Sequence, residues 1–401
     1  MAGGVKEVGG GTPASRRLRR PALGLLAGAH LSADFCQGVV PAMLPVLVQQ
    51  RHLSYALAGG LVLGQTVSSS VVQPFFGRLT DRRPLPWLMP GGLAGAGLAL
   101  GAACLLPAYP LIWLAVALSG LGIAAFHPEG ARYARYASGE RQATGMSLFS
   151  LGGNLGFALG PLATTPLLLT LGLEGGWLVG LLPVAMGLAL LLARARLPVG
   201  GEAGSSPGFR DAAGRDRWGA FARLTLAVVG RAIAFYGLNT FVPLYWIAVL
   251  GRSRAAGGYA LTLLLLCGAM GTLLGGRLAD RFPRREVIAA GLLLSGPLVL
   301  ALTRAPNPAL ATALLAAVGI ALFVPTSVQV VLGQEYLPNH IGTASGVTLG
   351  LAVSVGGIAA PALGVLGDHA GLRSVLLVLG LLPVLSGIIV LSLPGRRAPV
   401  A

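Results

Sequence analysis

Gly77-Arg78-Leu79-Thr80-Asp81-Arg82-Arg83 returns later in the chain as Gly276-Arg277-Leu278-Ala279-Asp280-Arg281-Phe282, with the two aspartates 199 positions apart (280 − 81). Other stretches repeat at nearly the same offset. Gly122-Ile123-Ala124-Ala125-Phe126 answers Gly319-Ile320-Ala321-Leu322-Phe323, and Pro161 answers Pro361. Matches at several places with one period mark two homologous halves in tandem.

Those halves are apolar. The 401 residues have a mean hydropathy of +0.77, are 54% hydrophobic and only 10% charged, where a soluble domain carries about a quarter charged residues. Twelve runs of roughly 20 apolar residues recur, each long enough to cross a bilayer as a helix. The first six fall at 22–48, 55–77, 86–106, 109–131, 142–170 and 176–193; the second six at 220–250, 257–279, 286–303, 308–332, 342–367 and 372–393. The expected fold is therefore an all-α integral membrane protein, twelve transmembrane helices in two six-helix pseudo-symmetric bundles, 21–193 and 220–395. A Gly-rich basic tail, 1–20, is expected to be disordered. The Gly-, Ser- and Pro-bearing stretch 194–219 reads as a flexible linker.

The net charge of +16 is a matter of topology rather than of a nucleic-acid partner. Of the 29 Lys and Arg, 23 fall on the side of the tail, the repeated loops and the linker. Positive charge is retained in the cytoplasm, so both termini and the linker are expected there, in a bacterial inner membrane. Cys36, Cys104 and Cys267 lie within apolar runs without metal-ligand spacing, and nothing in the spacing calls for a metal or cofactor. Glycines four apart, as in Gly60/Gly64, Gly91/Gly95, Gly97/Gly101, Gly152/Gly156/Gly160 and Gly271/Gly275, line helix faces with small residues and let neighbouring backbones approach.

Duplicated membrane bundles with a site between them are the architecture of secondary transporters. Ionisable residues inside the spans are then the candidate site, because burying them is costly. Asp34 lies about twelve residues into the first span, ~18 Å at 1.5 Å per residue, near the bilayer midplane. His30, Asp34, Gln37 and Pro41 share one helical face, a polar stripe suited to a central cavity, where Asp34 can take and release a proton as solvent access changes. The bland alternative is a buried aspartate bonded to a neighbouring helix. Arg231, with Phe235, Asn239 and Val242, shares a face of the seventh span. Its permanent charge demands an anion, either Asp34 or an anionic substrate. Tyr236, Tyr245 and Trp246 suit interfacial anchoring or the cavity wall. His127 and Glu129 flank Pro128, which removes a backbone hydrogen bond and should kink the fourth span, turning both toward a vestibule. Glu129 is equally placed to pair with Arg132, three residues on.

The repeated loop resembles the Gly-x-Leu-x-Asp-Arg signature of the major facilitator superfamily, and the twelve-span plan extends that resemblance over residues 21–395. The resemblance implies that Gly77, Asp81 and Arg82, with Gly276, Asp280 and Arg281, form conformational switches. Each aspartate would face a helix N-terminus, where a carboxylate is favoured, with the start of the eleventh helix as partner of Asp81 and that of the fifth as partner of Asp280. His30-Leu31-Ser32-Ala33-Asp34-Phe35-Cys36-Gln37-Gly38, Gln73-Pro74, Phe126-His127-Pro128-Glu129-Gly130-Ala131-Arg132 and Gly152-Gly153-Asn154-Leu155-Gly156 resemble the fosmidomycin resistance branch of proton-coupled efflux antiporters. That likeness tips Glu129 and His127 toward proton coupling or substrate access. Gly156, Gly160 and Pro161 keep part of the fifth-helix antiporter motif, although the glycine pair after it is missing. Val116 and Ala117 stand where many drug antiporters carry an embedded arginine.

The expectation is proton-coupled efflux of a small organic compound or drug, a phosphonate included, by alternating access. Proton coupling falls to Asp34, Glu129 and His127, and substrate binding to His30, Gln37, Arg231 and Asn239. The partners are protons, a small molecule and lipid, for a monomer that binds no nucleic acid. The alternative is an uptake symporter of an organic anion. An intramembrane enzyme built on His127 and Glu129 lacks any His-Glu-x-x-His or Gly-x-Ser-x-Gly motif, and no phosphate-binding loop supports ATP-driven transport.

Overall fold

The computed structural model describes residues 18–82, 85, 87–139, 141–194, 197 and 215–394. Nearly all of the N-terminal tail and most of the 194–219 linker lie outside the described residues. Within them the chain is helical, with no strand. In order come α1 (Arg20–Gln50), α2 (Tyr55–Ser70), α3 (Gln73–Arg82), α4 (Leu88–Leu105), α5 (Tyr109–Ser138), α6 (Gln142–Leu171), a 3₁₀ turn (Glu174–Gly180) and α7 (Leu181–Ala193). The second half has α8 (Trp218–Ala248), α9 (Arg254–Arg281), α10 (Arg284–Leu302), α11 (Pro308–Phe323), α12 (Pro325–Tyr336), α13 (Ile341–Ser345), a π-helical turn (Gly346–Leu351) and α14 (Ala352–Leu391).

Helix starts repeat as the sequence does. Ser54 caps α2 by accepting from Leu57 N (3.2 Å), and Ser253 caps α9 by accepting from Ala256 N (3.2 Å); they are again 199 apart (253 − 54). A serine cap satisfies one of the donors that a helix start leaves unpaired. The expected fourth span runs seven residues further, to Ser138, and the second and tenth are each broken in two, at Val71 and Val324.

Among the described residues, ten stretches are long and apolar enough to cross a membrane. Two of these, Gly145–Ala193 and Thr343–Leu391, are 49 residues long, about 74 Å if straight, more than twice the ~30 Å hydrocarbon core. Each is interrupted by a glycine in the left-handed region, Gly172 (φ 67°) and Gly371 (φ 79°), which are 199 apart (371 − 172). Only glycine enters that region without strain.

Small residues set the packing. Cβ atoms built on Gly152 and Gly156 of α6 would lie 2.2 and 2.0 Å from the Ala27 and Leu31 carbonyl oxygens of α1. Gly271 and Gly275 of α9 meet the Ile320 and Val324 carbonyls at 2.2 and 2.0 Å. These glycine faces are helix contacts, as expected, whereas a Cβ built on Gly95 would meet nothing within 4 Å. Outside, Leu98, Leu192, Leu273 and Leu294 are exposed, as suits a surface facing lipid.

The two ends of the molecule differ. Residues 38–47 of α1 and 236–246 of α8 are buried on every side, so the helices meet there without a gap. At the same end Asp368 of α14 accepts from Tyr55 N (2.7 Å) and Ala56 N (3.0 Å) at the start of α2. The α2–α14 seam continues to a Ser70–Ser354 hydroxyl hydrogen bond of 2.7 Å, and there a cavity begins.

Candidate functional site

The cavity, about 430 Å³, has two unlike walls. On one, α1 carries His30, Asp34 and Gln37, and α5 brings His127 against them. Gln37 Nε2 donates to Asp34 Oδ1 (2.8 Å). His127 Nε2 lies 3.3 Å from the same oxygen, and His30 Nε2 lies 3.3 Å from Oδ2. Three residues of the expected stripe thus line the cavity, while Pro41 lies in the enclosed part of α1, and a second imidazole from 93 positions away (127 − 34) joins them.

Tautomers follow from the acceptors. His30 Nδ1 donates to the Phe149 carbonyl (2.8 Å) and His127 Nδ1 to the Ile123 carbonyl (3.1 Å). With both Nδ1 protons committed, each Nε2 is the basic nitrogen. A neutral ring would aim its lone pair at the carboxylate. The arrangement is satisfied when a cation, in the first place a proton, is shared between Asp34 and the imidazoles. The rings are held firmly: His30 stacks on Phe149 (4.1 Å, 18°) and meets His127 edge-on (5.2 Å, 88°).

Gly153 gives this cluster its space. A Cβ there would come within 2.5 Å of Asp34 Oδ2 and 2.6 Å of His30 Cε1. In the sequence Gly153 stands out only as part of a family-like string. Its signal, a second glycine beside the packing glycine Gly152, is legible only once α6 is laid on α1. Asn154 lines the cavity next to it.

The opposite wall carries Arg231 of α8, 7% exposed. Its Nε donates to Gln329 Oε1 (3.1 Å) and an Nη to Thr326 Oγ1 (3.4 Å), both of α12. The expected Asp34–Arg231 pair is not formed. His30 and His127 occupy the approach to Asp34, and among the described residues no carboxylate pairs with Arg231. A guanidinium has five donors, so a buried, unneutralised cation faces the cavity. Sequence reasoning missed Gln329 and Thr326, neutral side chains that only the fold brings to Arg231. Phe235 lies below, with Phe157 at 6.0 Å and Phe323 at 5.1 Å between ring centroids.

Other expected site residues stand elsewhere. Asn239 is 1% exposed, donates to Phe235 O (3.2 Å) and does not line the cavity, because α8 is enclosed all round at that height. Pro128 leaves α5 continuous rather than turning Glu129 inward. Glu129 is buried off the cavity with Oε1 3.2 Å from Arg132, close enough for an ion pair but not aligned as a hydrogen bond. Arg132 donates on to Thr80 O (3.2 Å) and Thr80 Oγ1 (3.0 Å), tying α5 to the helix that bears the first repeat. Tyr236 lines the cavity, while Tyr245 and Trp246 are core residues rather than interfacial anchors.

At the switch positions, a Cβ built on Gly77 would make only an ordinary contact with Pro128 (3.8 Å) and one built on Gly276 would meet nothing within 4 Å, so neither glycine makes a close helix approach in this conformation. Asp280 and Arg281 are exposed, and Asp280 makes no ion pair among the described residues. The side chains of Asp81 and Arg82 lie outside the described residues. Gly160 approaches Gly38 of α1, with a built Cβ 2.7 Å from its Cα, and Pro161 beside it is buried.

The Major Facilitator Superfamily model matches residues 26–361 and 224–401. The MFS-type transporter YfnC of Bacillus subtilis (strain 168) is 35% identical over 389 residues, 94% of this chain and 93% of that one. The fosmidomycin resistance protein of Escherichia coli (strain K12) is 30% identical over 402 residues, 96% of this chain and 97% of its own. In fold, the chain is similar to a bacterial homologue of the human lysosomal transporter Spinster in an inward-facing, occupied conformation. There the TM-score is 0.80 at 18% identity, over 94% of this chain and 97% of that one.

Proposed function

The chain belongs to the Major Facilitator Superfamily, and from that premise we propose that it exports a small organic anion across the bacterial inner membrane in exchange for protons. The superfamily makes it a multi-pass membrane transporter of small molecules, not an enzyme. One observation carries the finer reading: a carboxylate flanked by two imidazoles and an unneutralised guanidinium face each other across one cavity. The name of the Escherichia coli relative favours phosphonates as a substrate class and export as the direction.

The substrate has an acidic group for Arg231 and a hydrogen-bond donor for Asp34. A donor that engages Asp34 takes the proton's place, so proton and substrate exclude each other, the condition for exchange. Coupling falls to Asp34 with His30 and His127. Gln37 orients the carboxylate. Glu129, gripping Arg132 and through it Thr80, acts on the helix that bears the first repeat, not on the proton.

Each 49-residue stretch, turned back at its glycine, supplies two crossings, giving twelve in bundles 21–193 and 220–395, in a monomer. The basic repeat-loop end is cytoplasmic, with both termini and the 194–219 linker. The sealed end, clamped by Asp368, faces outward, and the cavity opens inward. Asp81 and Asp280 engage their helix partners when the inside closes.

An uptake symporter is favoured by one feature. An anion held at Arg231 electrostatically draws a proton onto the facing cluster, so the two would travel together. Liposomes loaded with a pH dye separate the readings when fosmidomycin is added. Proton flux opposite to substrate flux is expected; flux in the same direction would establish symport, and no proton movement would end both.

A further inference from the structure

We propose that the His30, Asp34 and His127 side chains form a binding site for a divalent transition-metal ion of the Zn²⁺ class, with one coordination position open to the cavity. His30 Nε2, His127 Nε2 and a carboxylate oxygen of Asp34 all lie within 4.8 Å of one another. Two atoms bound to one Zn²⁺ at about 2.0–2.1 Å in tetrahedral geometry sit about 3.3–3.4 Å apart. His30 Nε2 stands 3.3 Å from Asp34 Oδ2 and His127 Nε2 3.3 Å from Oδ1, so each imidazole is at the edge length of such a site with its own carboxylate oxygen. A small turn of the carboxylate, or its binding through both oxygens, brings the set around one ion.

The surroundings match as well. A metal-bound histidine donates its other ring N–H to a carbonyl or carboxylate, which fixes the tautomer and orients the lone pair. Both histidines do so here, to the Phe149 and Ile123 carbonyls. Gln37 donates to the ligating carboxylate (2.8 Å). Two nitrogens and one carboxylate oxygen suit Zn²⁺ and its neighbours better than Mg²⁺ or Ca²⁺, which favour oxygen-only shells. The fourth position faces the cavity that Arg231 lines, leaving room for water or an anionic substrate group.

Metal binding here stands independently of proton coupling. Its consequence rests on that reading: a bound ion holds the place of the proton and arrests exchange.

The test uses the full chain in detergent micelles, stripped with EDTA and carrying a tag without histidine. Zn²⁺ is titrated by calorimetry and Co²⁺ by visible absorption. One saturable site per chain is expected, with Co²⁺ bands of a tetrahedral nitrogen–oxygen site. His127→Gln and Asp34→Asn should each weaken binding at least as much as loss of an outer-shell partner does, about 10–100-fold. A triple His52→Gln, His340→Gln and His369→Gln variant should leave binding unchanged. In the unaltered protein, Zn²⁺ should protect His30 and His127, but not the other three histidines, from diethylpyrocarbonate, a readout that needs no variant to fold. Absence of saturable binding, equal affinity in His30→Gln/His127→Gln, or protection of the other histidines alone would overturn the proposal. If Zn²⁺ binds as described while Asp34→Asn still couples transport to protons, the metal site stands and the proton reading falls.

Discussion

The first-half wall of the cavity carries a group that changes charge, and the second-half wall carries one that does not. By the offset of the repeat, Asp34 corresponds to Ile233 (34 + 199) and Arg231 to Ser32 (231 − 199). The scaffold is duplicated down to its serine caps and left-handed glycines, but the polar site is not. On the function proposed above, symmetry supplies two halves that rock against each other, and asymmetry lets a proton and an anion be held on opposite sides of the same space.

The sharpest way to break this division is Asp34→Asn. It keeps the shape and removes the charge, so accumulation driven by a pH gradient should vanish while substrate counterflow without a gradient persists. A variant that still accumulates substrate against its gradient would place the coupling acid elsewhere. On the other wall, Arg231→Gln should weaken binding of an anionic substrate roughly 10–100-fold, the range for a hydrogen bond to a charged group worth about 1.5–3 kcal/mol. Its proton uptake in the absence of substrate should stay normal. An unchanged affinity in equilibrium binding would remove Arg231 from the substrate site.

Gly153→Ala sharpens the comparison by moving one wall alone. Its methyl group would overlap Asp34 Oδ2 and His30, and overpacking of this kind costs about 1–3 kcal/mol. Transport should fall about tenfold or more with Arg231-dependent binding retained. A melting curve and transport rate equal to those of the unaltered protein would contradict the packing shown here. The smallest effect belongs to the sealed end. Asp368→Asn keeps the side chain's shape but only one of its two acceptor oxygens, leaving the other N–H to water at this exposed end. It also loses the charge at the start of α2, a loss of about 0.3–1 kcal/mol. The outward-open population should rise by a few-fold or less, read from labelling of a cysteine placed at Leu363. No change in labelling would show that Asp368 does not latch this end.

Much of this was legible in the sequence. The period of the repeat, the apolar runs and the stripe His30, Asp34, Gln37 are local or periodic, and local patterns survive folding. The partners of Asp34 and Arg231 are not. Opposite charges suggest a pair of Arg231 with Asp34, yet it is His127, on another helix, that sits against the carboxylate. Neutral Gln329 and Thr326 give no charge signal at all. Asn239 shares a helix face with Arg231, but a face follows the cavity only as far as the cavity extends, and beyond Phe235, toward the sealed end, α8 is packed on every side. Glu129 illustrates the converse. Its short-range partner Arg132 was visible in the spacing, and that local pairing is the one the fold adopts.

On the proposed function, substrate and proton compete for Asp34 inside the cavity. Purified protein in weakly buffered detergent solution, mixed with fosmidomycin, reports this directly through a pH-indicator dye. Substrate binding should release protons, about one per chain, and Asp34→Asn should release none while still binding the compound. Release that persists undiminished in Asp34→Asn, or proton uptake in its place, would contradict it.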